Sequence, residues 1–365
     1  MRSQRILVAL LTLALLTIVP SAPVQGDGTL DSPISVTDSR GEVTNLTEPA
    51  VHVASFGAFA TNTLVDIGMV DKAVIFDAGS KFDKSGIPEM RNISDDRFVT
   101  VSSTNKDAVV QRMLALVEDG LWNKSSDVVL GYGYSYLSSV WDALESLGFH
   151  VVTFYPDSYD GIVQVVEDIE TITGADHDVS GHMVFVKEHI AERLEEEGIT
   201  NDSEKVRAVY VSYSSNLMWL ANTGSVTADF ITLAGGVNVA EDPTKASPRY
   251  SADLSFFLDK KPDVVLLDGY YPETAGEFKS KIPKDNITDI TVYKLNKSWN
   301  SYCPDATEGL WAVACLFYPE YFEGELPVEE GEAADDGWAM MIYGVIGIAV
   351  VAVAMAVVLF TRRRD

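Results

Sequence analysis

Residues 53–76 read VASFGAFATNTLVDIGMVDKAVIF, and the order of residue types along them decides the fold. A short apolar strand pattern over residues 51–55 runs into Phe56-Gly57-Ala58. A helical pattern follows over 61–68, and a second apolar strand pattern covers 73–76. The rhythm continues outward. Residues 106–118 are amphipathic, with Val109, Val110, Met113, Leu114 and Val117 on one helical face. Residues 127–130 read as a strand, 137–147 as a helix and 149–154 as a strand again. Alternating strands and helices of this kind predict a βαβ lobe around a parallel sheet.

Between residues 159 and 197 the strand signal disappears. Ile162, Val165, Val166 and Ile169, then Met183, Val184, Ile190 and Leu194, are spaced for two helices broken near Gly174. Glu192 and the acids at 195–197 leave the end of the second helix in solvent. The α/β rhythm then resumes, with strands at 206–211, 264–267 and 291–295 and helices at 227–234, 251–258 and 308–317. The body is about 300 residues long, too many for one ordinary core and suited to two lobes. The expected architecture is α/β, with two Rossmann-like lobes (27–158 and 205–323) joined by a helical bridge (159–204).

Both ends carry address signals. Residues 1–26 have the layout of a secretory signal peptide. Arg2 and Arg5 precede an apolar stretch over 6–19, and Ser21, Ala22 and Gly26 offer small residues for cleavage. Residues 338–360 are apolar and uncharged, about 35 Å long as a helix, enough to cross a bilayer. Trp338 and Tyr343 suit the outer interface, and Arg362, Arg363 and Arg364 place the 361–365 tail in the cytoplasm. Residues 324–337 contain six acids and no base and read as a solvated stalk. The expected location is therefore the cell membrane, with a single span and an extracellular body.

Composition agrees with that placement. A formal net charge of −27 makes nucleic acid and anionic lipid poor partners for the body. No cysteine follows the signal region, which argues against a lipid-modified N-terminus, and the C-terminal helix would provide the tether. Cys303 and Cys315 are the two cysteines, and a disulfide and two buried thiols are both open readings. Six sequons, at Asn45, Asn92, Asn123, Asn201, Asn286 and Asn296, fit a glycosylated exterior.

Several of these stretches together resemble a known family, the solute-binding proteins of ABC importers for iron chelates, haem and cobalamin. Residues 34–48 (ISVTDSRGEVTNLTE) are similar to its opening hairpin, and 53–76 to its first βαβ step. ITLAGGVNVA (231–240) is similar to a helix end and Gly-Gly-x-Asn turn of the family. SADLSFFLDKKPDVVLLD (251–268) resembles a helix, a Lys-Pro-Asp turn and a buried strand, and LFYPEYF (316–322) a closing helix and Pro turn. The resemblance covers about residues 34–322 and rests on the order of the pieces. It implies a two-lobed clamp with a long bridging helix, matched here by 180–197, and a ligand held between the lobes. It also implies docking on a permease through an acid on each lobe. These positions fall on Asp107 and Asp253, although an acid near a helix start is equally a capping device.

Ligands of open parallel sheets bind beyond the carboxyl ends of the strands. Here those loops are rich in rings. Phe56 follows the first strand, and Tyr132, Tyr134 and Tyr136 follow 128–130. Tyr213, Met218 and Trp219 follow 206–211, Tyr270 and Tyr271 follow 264–267, and Trp299, Asn300 and Tyr302 follow the last strand. Arg249 and Tyr250 stand just before the expected 251–258 helix. Rings with polar tips suit a flat or bulky ligand such as a corrinoid, haem or iron chelate, and Arg249 suits a ligand carboxylate or phosphate. About half of these rings are expected to be structural packing.

Catalysis finds little footing. The histidines at 52, 150, 177, 182 and 189 lack a zinc spacing, and no Gly-x-Ser-x-Gly, Walker A or Cys-x-x-Cys occurs. The expected protein is a monomeric binding protein, not an enzyme, with no cofactor of its own. Its expected partners are an ABC permease and its ATPase. The alternative is a surface sensor or adhesion module on the same scaffold, not coupled to transport.

Overall fold

A computed structural model describes residues 33–283 and 290–328. The expected signal peptide, most of the expected stalk, the expected span and tail, and the Asn286 sequon lie outside these residues. Among the described residues no helix is long and apolar enough to cross a membrane.

The chain opens with a hairpin of β1 (Ile34–Thr37) and β2 (Val43–Leu46), in which buried and exposed residues alternate. Its turn is pinned to the first lobe. The buried Asp38 carboxylate accepts from the Thr153 hydroxyl at 2.8 Å, and Arg40 donates to Glu145 at 2.6 Å. The first lobe then runs β3 (Val53–Phe56), α1 (Ala58–Asp66), β4 (Ala73–Asp77), α2 (Phe82–Ser85), β5 (Phe98–Val99), α3 (Lys106–Glu118), β6 (Val128–Tyr132), α4 (Ser138–Ser146) and β7 (His150–Phe154). Its sheet has the order β5-β4-β3-β6-β7 and every pair is parallel. β3 is buried at all four positions because the sheet is covered on both faces, which is why its sequence is an apolar run without alternation.

Two helices follow, α5 (Tyr159–Thr173) and α6 (Val179–Glu196). α5 stops at Gly174, whose φ of 64° is left-handed; a side chain there would also strike Pro49 at 2.8 Å. At 18 residues α6 is about 27 Å long. It buries Val179, Ser180, Met183, Val186, Ile190 and Leu194, while its last turn carries exposed acids. One apolar core continues from the first lobe through these helices into the second: Leu64, Ile67, Val166, Ile169, Met183, Ile190, Phe230 and Leu310 belong to it.

The second lobe comprises β8 (Arg207–Ser214), β9 (Leu217–Ala221), α7 (Val226–Leu233), β10 (Val237–Asn238), β11 (Arg249–Ala252), α8 (Ser255–Lys260), β12 (Val264–Leu267), α9 (Ala275–Lys281), β13 (Thr291–Lys294) and α10 (Asp305–Phe317). Its sheet is mixed. β8, β12 and β13 are parallel, whereas β8-β9 and β9-β11 are antiparallel, with β10 beside the start of β8.

Two expectations are corrected here. Met218 and Trp219 lie on strand β9, not in a loop, because Ser215 and Asn216 both adopt positive φ (53° and 62°) and fold the chain straight back on β8. Residues 251 and 252 are strand, not helix: Ser251 pairs with Trp219 and Ala252 with Met218, so the helix starts only at Ser255.

A tyrosine cleft between the lobes

The carboxyl ends of β6 and β7 present a group of tyrosines. Tyr132 ends β6 with its carbonyl accepting from the Trp141 indole at 2.9 Å, and its ring packs on Phe59 at 4.6 Å between centroids. Gly57 makes that packing feasible, since a side chain there would overlap the Tyr132 ring at 2.8 Å. Tyr134 stacks on Tyr132 at 5.0 Å and on Tyr136 at 5.3 Å, and meets Tyr155 edge-on at 5.4 Å. Between them Gly133 lies so close to the Ser39 side chain of the opening hairpin that no side chain would fit.

The second lobe answers with Tyr302. Its ring stands edge-on to Tyr132 at 6.3 Å and to Tyr155 at 6.4 Å, and its hydroxyl is hydrogen-bonded to that of Tyr134. The loop that carries Tyr302 is fastened on both sides. The Asn300 amide donates to the Tyr210 hydroxyl at 3.0 Å and to the Asp268 carboxylate at 3.1 Å, while the Tyr210 hydroxyl donates to the same Asp268 oxygen at 2.6 Å. Past Tyr302, the Asn62 amide on α1 donates to Cys303 Sγ at 3.2 Å and to Asp305 Oδ2 at 2.9 Å. Burial raises the Tyr132, Tyr134 and Tyr302 hydroxyls above the ordinary phenol range, so at neutral pH they are uncharged hydrogen-bonding groups. Arg249 opposes this effect at Tyr302, and its guanidinium lies 5.0 Å from the Trp219 ring. The Trp219 indole in turn donates to the Ser214 carbonyl at 3.0 Å.

Not every ring expected at the cleft is there. Phe56 is 1% exposed and stacks on Trp141 at 6.4 Å inside the first lobe. Tyr271 is 6% exposed and packs on Phe278 and Tyr213 inside the second. Both are corrections, and the cause is the same: these sheets are covered on both faces, so a ring at a strand end can turn inward. Trp299 packs over Gly309 and donates to Glu308 at 3.0 Å. The half-buried Tyr250 donates to the Ala240 carbonyl at 2.9 Å. Tyr213 and Tyr270 are exposed at the ends of β8 and β12, and Lys297 lies 5.2 Å from the Tyr270 ring. Tyr155, absent from the sequence-based expectation, follows β7 just as Tyr132 ends β6, so the strand-end rule would have found it.

Of the two expected docking acids, Asp107 is exposed in the first turn of α3. Asp253 is also exposed, but its carboxylate accepts from the Ser255 amide at 2.8 Å and the Ser255 hydroxyl at 2.5 Å, which holds it below its ordinary value. Cys303 and Cys315 are free thiols. His52 pairs with Asp127 at 3.2 Å at the opposite end of the sheet from the tyrosines, and among the described residues no group of three His, Cys, Asp or Glu side chains is arranged to hold a metal ion.

No family model matches the chain, and no curated protein sequence matches it. Solved structures do match its fold. A Ni-His complex of CeuE from Helicobacter pylori aligns with a TM-score of 0.59 at 15% identity, over 80% of this chain and 90% of that one. The periplasmic heme-binding protein RhuT of Roseiflexus sp. RS-1 gives 0.55 at 16%, over 74% and 98%. The periplasmic vitamin B12-binding protein BtuF of Vibrio cholerae gives 0.51 at 18%, over 73% and 96%. At these identities the likeness is one of fold. The chain has the two-lobed α/β fold of the periplasmic binding proteins, in nearly their full length.

Proposed function

We propose that this chain is a solute-binding protein of an ABC importer. It captures an iron chelate, haem or corrinoid between its lobes and passes it to a permease and ATPase. The observation that carries this reading is the meeting of Tyr302 from the second lobe with Tyr132, Tyr134 and Tyr155 from the first, beside Arg249. Uncharged phenols with broad faces contact a flat ligand and hydrogen-bond its rim, and a guanidinium pairs with a carboxylate or phosphate. The fold neighbours named for heme and vitamin B12 support a ligand of that size. The protein works without catalysis, as a monomer held by residues 338–360 with its body outside the cell. Titration with cobalamin, haem, ferric chelates and bare divalent metals, followed by intrinsic fluorescence, tests this. Quenching at micromolar or lower concentration by one chelate is the expected result; silence from a folded protein across the panel rejects it.

Permease docking through Asp107 and Asp253 is part of the same proposal. Replacing both by Lys is expected to stop uptake and spare ligand binding. Asp253 is engaged locally by Ser255, and uptake that survives the double change would support the second reading, a surface sensor or adhesion module.

A further inference from the structure

Beneath the tyrosines, α1 of the first lobe and α10 of the second meet across the lobe boundary, through one amide and a group of acids. Asn62 on α1 donates to Asp305 on α10 at 2.9 Å, and Asp66, one turn further along α1, points a buried carboxylate oxygen at no hydrogen-bond partner. Glu308, one turn along α10, is held by the Trp299 indole. Asp305, Glu308 and Glu89 are acids that act on Asp66, and the titratable His177 also lies nearby, its ring 3.5 Å from where a Gly68 side chain would begin. The Ser298 hydroxyl bonds Asp305 as well, and the buried Cys303 thiol lies beside it.

Helix polarity separates the roles. Asp66 is the last residue of α1, where the negative end of the helix disfavours an anion. Asp305 and Glu308 begin α10, where the positive end favours one. Burial raises all three carboxyls, against the Ser298 and Asn62 hydrogen bonds at Asp305 and with like charge adding at Glu308 and Asp66; Asp66 is raised well above its ordinary range, so it is the member that keeps a proton longest.

We propose that Asp66, Asp305 and Glu308 form a proton-operated latch between the lobes. With Asp66 protonated, its hydroxyl donates toward the α10 carboxylates and α1 and α10 stay together; with Asp66 ionised, the helices repel and the contact loosens. This does not depend on the identity, or the existence, of a ligand. The sign follows from proton linkage. Between the ordinary carboxylate range and the raised native one, the folded chain holds a proton that the unfolded chain has released. The latch therefore contributes fully in acid and is lost as pH rises through that window.

The test uses the full-length protein and its Asp66→Asn and Glu308→Gln variants, with Glu192→Gln on the exposed face of α6 as a charge control. Melting temperature is measured from pH 4 to pH 9, with the radius of gyration by X-ray scattering. Each latch variant is expected to melt about 2–4 °C above wild type at pH 8 and level with it at pH 4. The double variant should gain less than the sum of the single ones, because the sites are coupled. The wild type should expand with rising pH, and the Asp66→Asn variant should not. A gain equal at both pH values, or one matched by Glu192→Gln, would overturn the latch. So would a wild type whose dimensions stay constant. If Asp66→Asn does not fold, Glu308→Gln and its pH profile carry the same decision.

Discussion

Phe56 and Tyr302 show how little the position of a ring after a strand says about its use. Phe56 ends β3 yet turns into the packing between the sheet and α4, where Ala54 and Val129 share its cluster. Tyr302 sits in an irregular loop, which Asn300 fastens to its own lobe and Asn62 ties to the first. The two residues should therefore respond oppositely to truncation. Phe56→Ala is expected to cost about 3–5 kcal/mol of stability in urea unfolding, from lost burial and the cavity left behind, with ligand affinity intact while the chain is folded. Tyr302→Ala is expected to leave stability within about 1 kcal/mol and to weaken chelate binding about tenfold or more in the fluorescence titration. Equal affinity in the Tyr302 variant would remove it from the site. Which rings reach the cleft was partly legible from sequence, through the rule that ligands gather at strand carboxyl ends. Their inward or outward turn was not, because it depends on what covers each face.

Elements with a single local cause were read well. The amphipathic 106–118 pattern is α3 at the same bounds, and 264–267 is β12. Gly174 separates α5 from α6 as its place in the pattern implied. Gly174→Ala should destabilise by more than about 1 kcal/mol, measured by thermal unfolding, since it combines a left-handed backbone with an overlap on Pro49. α9 escaped notice although its start is signalled: Thr274 and Glu277 form a reciprocal capping box. Thr274→Ala should cost about 1 kcal/mol in the same assay. β9 and β11 were the harder case. No Asn-Gly or Gly marks the turn at Ser215-Asn216, and Arg249–Ala252 becomes a strand through pairing with β9, a partner some thirty residues earlier.

At the scale of the molecule, a continuous core runs through α5, α6 and α10, so the lobes are not independent beads on a linker. A ligand seated on Tyr132, Tyr134 and Tyr302 touches both lobes. At a hundred times its dissociation constant it should raise the stability of the whole by about 2.7 kcal/mol, seen as an upward shift of one unfolding transition; two transitions, one unmoved, would place the ligand on a single lobe. The sequence by itself determined the α/β alternation, the helical break between two lobes and the aromatic wealth of the strand ends, because periodicity and composition are local and survive without knowledge of what lies opposite. Only the tertiary structure decided that Phe56 and Tyr271 are core, that Tyr155 and Tyr302 face each other, and that Asn62 of the first lobe bonds Asp305 of the second. Each of these depends on which surface covers a side chain, and that surface comes from residues far away in the chain.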